Sequence, residues 1–280
     1  MDVEVPTRTV VEALVQEDGS VDAAELYEVA DALGMSDQQV RLCVKRLVAE
    51  GKFTVEGRGR RAVLRMTPQA LRAAEPDVEF VRFMYRQDAG EVDWDGRWHL
   101  VAFAVPEAQR PARDALRDAI VRWGGAPLHG GLYVSPHEWE DLVGGEAERL
   151  GVAPSLTFLT SSDLRVGGEA SPAALAARLW PLDAVAERHE RLAEVARVRL
   201  RRLTEGASRT DLLRIAVELA AEFTRAVEPD PLLPPVLLPR PWVGAQARLL
   251  VARCWAALAD RAAGLPVLFR TYDDAVRVVR

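Results

Sequence analysis

The chain has 280 residues, 49% hydrophobic and 28% charged, with a formal charge of −6. That length and balance provide apolar surface for more than one core and exclude a disordered, collagenous or disulfide-dense chain. No apolar run approaches the roughly 18 residues that cross a bilayer, and the acidic start Met1-Asp2-Val3-Glu4 lacks the basic-then-apolar order of a secretory leader, so a cytoplasmic location is expected.

Thr7 to Glu17 sets Val10, Val11, Leu14 and Val15 at helical spacing, and Asp18-Gly19 ends the run, which predicts a first helix. Asp22 caps a second, with Leu26, Val29, Ala30 and Leu33 on one face before Gly34. Ser36-Asp37-Gln38-Gln39 has capping-box spacing, so Ser36 and Gln39 can satisfy each other's amides at the start of a third helix over 37–50. In it Val40, Cys43, Val44, Leu47 and Val48 share a face and predict a core contact. Gln38, Arg41, Leu42 and Lys45 then point outward, with Gln39 and Arg46 on the flanks. Such a row suits a helix in the major groove, because guanidinium pairs bidentately with guanine and a glutamine amide with adenine. Gln39 is the lesser base-reading candidate, since capping gives its side chain another task.

Gly51 stops that helix. Phe53-Thr54-Val55-Glu56 and Ala62-Val63-Leu64-Arg65-Met66 are β-prone and flank Gly57-Arg58-Gly59-Arg60-Arg61, predicting a hairpin whose tip carries Arg58, Arg60 and Arg61. Three helices followed by a basic hairpin make a winged helix-turn-helix, and the glycines let the tip approach a phosphate or a minor groove closely. Charge follows the same division. Residues 1–40 hold ten acids against Arg8, whereas residues 41–72 hold nine lysines and arginines against Glu50 and Glu56. A local basic patch inside an acidic protein points to a polyanion partner.

Glu75-Pro76-Asp77 opens a predicted linker over 76–96 that closes in the acidic turn Glu91 to Asp95. Beyond it Trp98 to Val105 suits a buried strand, Arg110 to Trp123 a helix, Leu132 to Val134 a strand, His137 to Leu150 a helix and Ser155 to Thr160 a strand. The order β-α-β-α-β predicts a ferredoxin-like domain over 97–168, with Trp94 and Trp98 expected at a domain seam. From Ser171 the chain is rich in alanine and leucine, and helices are expected at 172–179, 183–203, 208–227 and 244–263. Pro229 to Pro241 holds six prolines and predicts an extended strap across a helix, anchored by Trp242.

Four strings carry a family likeness: the segment Leu26 to Met66, Val92-Asp93-Trp94-Asp95-Gly96-Arg97-Trp98-His99 running on to Glu107, Gly130-Gly131-Leu132-Tyr133-Val134-Ser135-Pro136-His137, and Asp230 to Gly244. On them the chain resembles the PaaX family of bacterial regulators, named for repression of phenylacetate catabolism. The resemblance implies a middle domain sharing its fold with small CRISPR-associated nucleases, and an aromatic acyl-CoA effector. One position departs from the family pattern: Ala220-Ala221-Glu222-Phe223 has alanine where relatives often place a histidine ahead of the acid. That departure leaves the effector open.

No catalytic machinery is expected. The four histidines, His99, His129, His137 and His189, show no metal-ligand spacing, and phosphate-binding glycine loops and a nucleophile elbow are absent. A nuclease resembling the middle domain would carry an aspartate at the end of its first strand, where this chain has Ala104-Val105-Pro106; Glu107 and the His137-Glu138 pair read as helix-entry residues. Cys43 and Cys254 read as buried thiols. Arg197, Arg199, Arg201 and Arg202 could meet the phosphates of an acyl-CoA, but read first as an exposed helix face.

The fold class expected is therefore α+β multidomain, with a winged helix-turn-helix over 1–75, the linker 76–96, a ferredoxin-like middle domain over 97–168 and a mostly helical dimerisation and effector domain over 169–280. The function expected is a sequence-specific, homodimeric transcriptional repressor that binds a double-stranded DNA operator and answers to a small-molecule effector. No metal, cofactor or membrane partner is expected. The alternatives are a metal-dependent nuclease built on the middle domain and an acyl-CoA-binding scaffold without DNA affinity.

Overall fold

Helix α1 (Thr7–Ala13) turns Val10, Val11 and Ala13 inward, and the chain leaves it at Leu14, a turn earlier than the run to Glu17 suggested. The reason is Gln16, whose backbone N–H donates to Ser20 O at 2.7 Å and draws the chain into a short strand, β1 (Ser20–Asp22). Asp22 caps helix α2 (Ala23–Ala32) by accepting from Glu25 N at 3.0 Å. Gly34, at φ 78, takes the left-handed turn that a side chain resists and ends the α2 segment. Helix α3 (Asp37–Ala49) opens on the capping box: Gln39 Oε1 accepts from Ser36 N at 2.8 Å while Ser36 Oγ accepts from Gln39 N at 3.3 Å.

Strands β2 (Phe53–Glu56) and β3 (Val63–Met66) pair antiparallel as a hairpin, and β1 adds to the other edge of β3, giving a sheet ordered β1-β3-β2. β1 was not foreseen: three residues are too few to carry a period-2 signature. Helix α4 (Pro68–Asp88) begins at Thr67, whose hydroxyl accepts from Ala70 N at 3.3 Å. It overturns the expectation of a linker from residue 76, since a proline at 76 does not stop the helix. Its far end buries Met84 and Tyr85, a reason for helix that the linker reading overlooked.

The second sheet is four-stranded and antiparallel throughout, ordered β5-β6-β4-β7 from β4 (Trp98–Phe103), β5 (Ala126–His129), β6 (Leu132–Ser135) and β7 (Leu156–Ser161). Helices α5 (Arg110–Arg122) and α6 (Glu140–Arg149) connect them. β5 was missed because Pro127 and the register shift before His129 break its alternation. As an inner strand β4 is covered on both faces, which explains its unbroken apolar run. Trp98 and Leu100 join Trp180, Leu175, Leu233 and Leu237 in one cluster, whereas Val101 packs with Leu116, Ile120, Trp139 and Val143 in another. Gly131 lies so close to Phe103 O that a Cβ there would sit 2.3 Å from it. Trp98 packs edge-on to Trp94 and stacks on Trp180. Both tryptophans expected at a seam thus belong to this cluster.

Helices α7 (Pro172–Leu179), α8 (Leu182–Thr204), α9 (Arg209–Val227) and α10 (Val243–Ala259) follow where expected, α10 ending before the turn at Asp260 and Arg261, with the proline segment crossing beside α7 and Trp242 half-buried at its end. The computed structural model describes residues 2–204, 207–261 and 266; the last two positions of the helix expected over 244–263 lie outside them. Among the described residues no helix is long and apolar enough to cross a membrane.

Internal contacts divide the chain into two units. The first takes the residues up to 89, 188–226 and those from 243, so the amino-terminal helices share a unit with most of α8, α9 and α10 instead of forming a separate domain. The second takes 90–187 and 227–242, the four-stranded sheet with its helices and the proline strap.

Candidate nucleic-acid interface

Helix α3 is anchored by Val40 and Leu47, both essentially inaccessible, with Cys43 and Val44 half-buried beside them. Gln38, Arg41, Leu42 and Lys45, at offsets of three, four and seven, lie along the opposite face and are exposed, as are Gln39 and Arg46. Leu42 is 49% exposed. Val48, expected in the core, is 40% exposed, so the buried stripe is narrower than the sequence pattern suggested. Gln39 is held by its cap, and Arg41 Nε donates to Asp37 O at 3.2 Å, which lays its guanidinium along the first turn. Lys45 and Arg46 have no ion pair among the described residues. Arg46 also lies in the last turn, where a cation is favoured by the helix dipole.

The hairpin tip is a 3₁₀ turn over Gly59–Arg61, with Arg58, Arg60 and Arg61 exposed. The three arginines are not equivalent. Arg60 stacks over the Tyr27 ring, 5.3 Å from its centroid, and its Nη2 lies 3.4 Å from Asp37 Oδ1. Each contact contributes on the order of 1 kcal/mol or less at an exposed position. Together they hold the tip beside the first turn of α3. Arg58 and Arg61 have no ion pair among the described residues. The arrangement therefore gathers two free guanidinium groups at the tip with the outward row of α3. Tyr27 and Asp37 were missed by sequence reading; an aromatic residue on α2 and an acid at a helix start carry no signal that a distant arginine will use both.

Several acids of the first 40 residues are paired. Glu12 pairs with Arg8 at 2.9 Å and lies 3.8 Å from Lys52, Asp18 lies 3.8 Å from Arg65, and Glu25 pairs with Arg209 at 2.7 Å. The Asp18 carboxyl is held below its ordinary pKa, chiefly by the Ser20 hydroxyl donating to it. Glu25–Arg209 joins α2 to α9, and Arg191 and Arg225 donate to the backbone oxygens of Asp2 and Glu4. Helices α8 and α9 thus grip the amino-terminal segment within one unit.

Those helices bury charge. Arg199 is 3% and Glu218 8% exposed, 2.6 Å apart, and Arg248 of α10 pairs with Asp88. Buried Glu222 is clamped by Arg191 at 2.8 Å and Arg225 at 2.7 Å. Arg199 consequently leaves the exposed face on which it was expected, while Arg197, Arg201 and Arg202 stay on it. Ala221, the departure from the family pattern, is buried beside Glu222.

In the second unit two of the three candidate catalytic positions, Glu107 and His137, have structural partners. Glu107 pairs with Arg113 at 2.8 Å, in a 3₁₀ turn entering α5. His137 Nε2 donates to Leu232 O at 2.9 Å, and burial pushes its pKa down against that hydrogen bond.

Three descriptions of the PaaX family match in order: PaaX-like protein over residues 8–70, the PaaX protein central Cas2-like domain over 91–176, and the PaaX-like protein C-terminal domain over 180–265. The chain belongs to the PaaX family. It is 28% identical over 257 residues to the transcriptional repressor PaaX of Escherichia coli strain K12, spanning 90% of this chain and 78% of that protein. In fold it is similar to the uncharacterized protein Rv0674 from Mycobacterium tuberculosis, with a TM-score of 0.53 at 22% identity and 96% coverage of both chains.

Proposed function

We propose that the chain is a non-enzymatic, DNA-binding transcriptional repressor of the cytoplasm, whose first 75 residues form a winged helix-turn-helix. The observation that carries this reading is the exposed row Gln38, Arg41 and Lys45 on α3, with the hairpin tip held to it by Arg60 and carrying Arg58 and Arg61, which have no ion pair among the described residues. The row supplies base readout, the tip supplies phosphate contacts, and Gln39, Arg46 and Arg60 flank or brace them. Kinship with a transcriptional repressor supports the same assignment. Two copies are needed, because one short helix contacts few bases; a homodimer would set two such helices on half-sites ~34 Å apart.

The strand order β5-β6-β4-β7, all antiparallel and with α5 and α6 as connections, supports a ferredoxin-like middle domain within 97–168. It acts as a spacer, and β4 runs into Ala104 and Val105 where a metal-dependent nuclease of this type would need an aspartate. Helices α8–α10 carry the dimer and effector contacts. Because they share a unit with α1–α3 and hold its first residues through Arg191, Arg209 and Arg225, an effector that shifts them acts on the DNA-reading head directly. An aryl- or acyl-CoA is the effector class proposed.

Footprinting on the DNA upstream of the protein's own gene tests this, with the Arg41→Ala, Lys45→Ala double variant beside the wild type. A protected two-fold site is expected, lost in the variant at unchanged thermal stability and released from the wild type by an aromatic acyl-CoA. Losing two base-reading contacts costs about 2–6 kcal/mol. Equal affinity of variant and wild type would overturn the interface; acyl-CoA binding without DNA affinity at low salt would make the chain a scaffold instead.

A further inference from the structure

Residues that no sequence spacing relates converge at the start of β4. Asp95, His99 and Glu138 place one ligand atom each within 4.8 Å of the others, His99 being buried and both acids exposed. We propose that this cluster is a binding site for a divalent transition-metal ion of the zinc class.

The local chemistry favours a ligand role for the imidazole. His99 Nδ1 lies 2.7 Å from Glu140 Oε1, and a tautomer with its proton on that hydrogen bond would leave the Nε2 lone pair to a metal ion. A carboxylate behind a histidine in this way fixes the tautomer and raises the basicity of the other nitrogen, the usual support of a metal-bound histidine. His99 itself is 5% exposed and fixed in the middle of the sheet by pairing with Ser135 on one side and Thr160 on the other. Its position is therefore set before any ion arrives.

The two acids supply the remaining donors. Asp95 Oδ1 accepts from Arg97 N at 2.9 Å, which closes a tight turn ahead of β4 and leaves Oδ2 as the second oxygen. That oxygen lies 3.7 Å from Arg97 Nε, a loose pair on a mostly exposed side chain that can swing away. Glu138, in the connection from β6 to α6, has no ion pair or side-chain hydrogen bond among the described residues. Three carboxylates, counting Glu140, thus lie by one imidazole, and among the described residues Arg97 is the arginine or lysine paired with any of them within 4 Å, an excess of negative charge that a cation relieves.

Geometry and donor type narrow the ion. Ligands at ~2.0–2.2 Å in tetrahedral array stand about 3.3–3.6 Å apart, so the two exposed carboxylates close by at most about 1.5 Å through rotamer changes. One nitrogen with two oxygens suits zinc or manganese; calcium and magnesium prefer oxygen alone. Solvent would hold the open position. The ion would tie the 91–97 turn to the β6–α6 connection, a clamp inside the second unit and separate from the strand-end position that a nuclease would use.

Chelator-stripped full-length protein titrated with zinc chloride, manganese chloride or magnesium chloride tests the site by calorimetry and equilibrium dialysis. One equivalent of zinc per chain is expected, with an unfolding midpoint raised by several degrees and magnesium without effect. Asp95→Asn and Glu138→Gln, both at exposed positions, should each weaken zinc at least tenfold. Glu140→Gln should do so by about 10- to 100-fold through the histidine alone, whereas Arg97→Ala should leave binding equal or tighter. Absence of saturable zinc binding by the wild type, or undiminished binding by the Asp95→Asn, Glu138→Gln double variant, would overturn the proposal. So would a charged His99 imidazolium persisting in nuclear magnetic resonance spectra at saturating zinc.

Discussion

Four arginines of α3 and the hairpin tip differ from two on α8 and α10 in what neutralises them. Arg41, Arg46, Arg58 and Arg61 are exposed and have no carboxylate partner among the described residues, while Arg199 and Arg248 are buried against Glu218 and Asp88. An exposed guanidinium keeps its hydration, costs nothing to leave unpaired and stays available to a phosphate or a guanine. A buried one needs a partner, since an uncompensated charge in the interior costs several kcal/mol. One residue type thus serves two purposes, recognition where water reaches it and specification of helix packing where water does not.

The largest expected effect breaks the buried side. Arg199→Ala leaves the Glu218 carboxylate without its ion-pair partner and should lower stability by about 3–5 kcal/mol, read as a shift in the urea unfolding midpoint at unchanged slope. Arg199→Met with Glu218→Leu removes both charges and should recover most of that loss. A single variant within about 1 kcal/mol of wild type would mean that solvent reaches the pair.

A smaller effect, on affinity at unchanged stability, is expected at the tip. Arg58→Ala with Arg61→Ala should weaken binding to any duplex and reduce the slope of log affinity against log salt by about one to two units. Arg60→Ala should differ in kind: loss of the Tyr27 stack and the Asp37 pair lowers stability by about 1 kcal/mol or less and flattens the slope less than the double variant does. If Arg60→Ala alone flattened the slope as much, the brace would be a phosphate contact and the distinction among the three arginines would fall.

Legibility in the sequence followed how local each cause was. The caps at Asp22 and Ser36, the outward row of α3 and the glycine-bounded hairpin are set by neighbours within a turn, and they stand where the periodicity put them. The order of helices and strands after residue 97 was legible for the same reason, apart from β5. What escaped was long-range. β1 exists because β3 offers an edge, Arg199 is buried because α9 presents Glu218 to it, and Arg60 finds Tyr27 from 33 positions away. The sharing of one unit by the amino-terminal helices and α8–α10 depends on pairs such as Glu25–Arg209, 184 residues apart. Helix α4 was hidden by Pro76, which pattern reading treats as a stop.

The same contrast recurs, in miniature, in the two thiols. Cys254 on α10 is fully buried, donates to Ala196 O at 3.3 Å, and burial pushes its pKa up to about 12. Cys43 on α3 is half-buried, and desolvation raises its pKa without enclosing it. Only the thiolate attacks, and at pH 8 a group with a pKa near 12 is ionised in about one molecule in ten thousand. A maleimide or a disulfide reagent at that pH should therefore modify the native protein slowly at Cys43 and leave Cys254 untouched until urea unfolds the chain, after which two equivalents react at similar rates. Mass spectrometry of the modified peptides reads this directly. Rapid native labelling of Cys254 would mean that α10 opens locally from α8, and that the buried arginine pairs of those helices are in contact with water too often to hold the packing assigned to them.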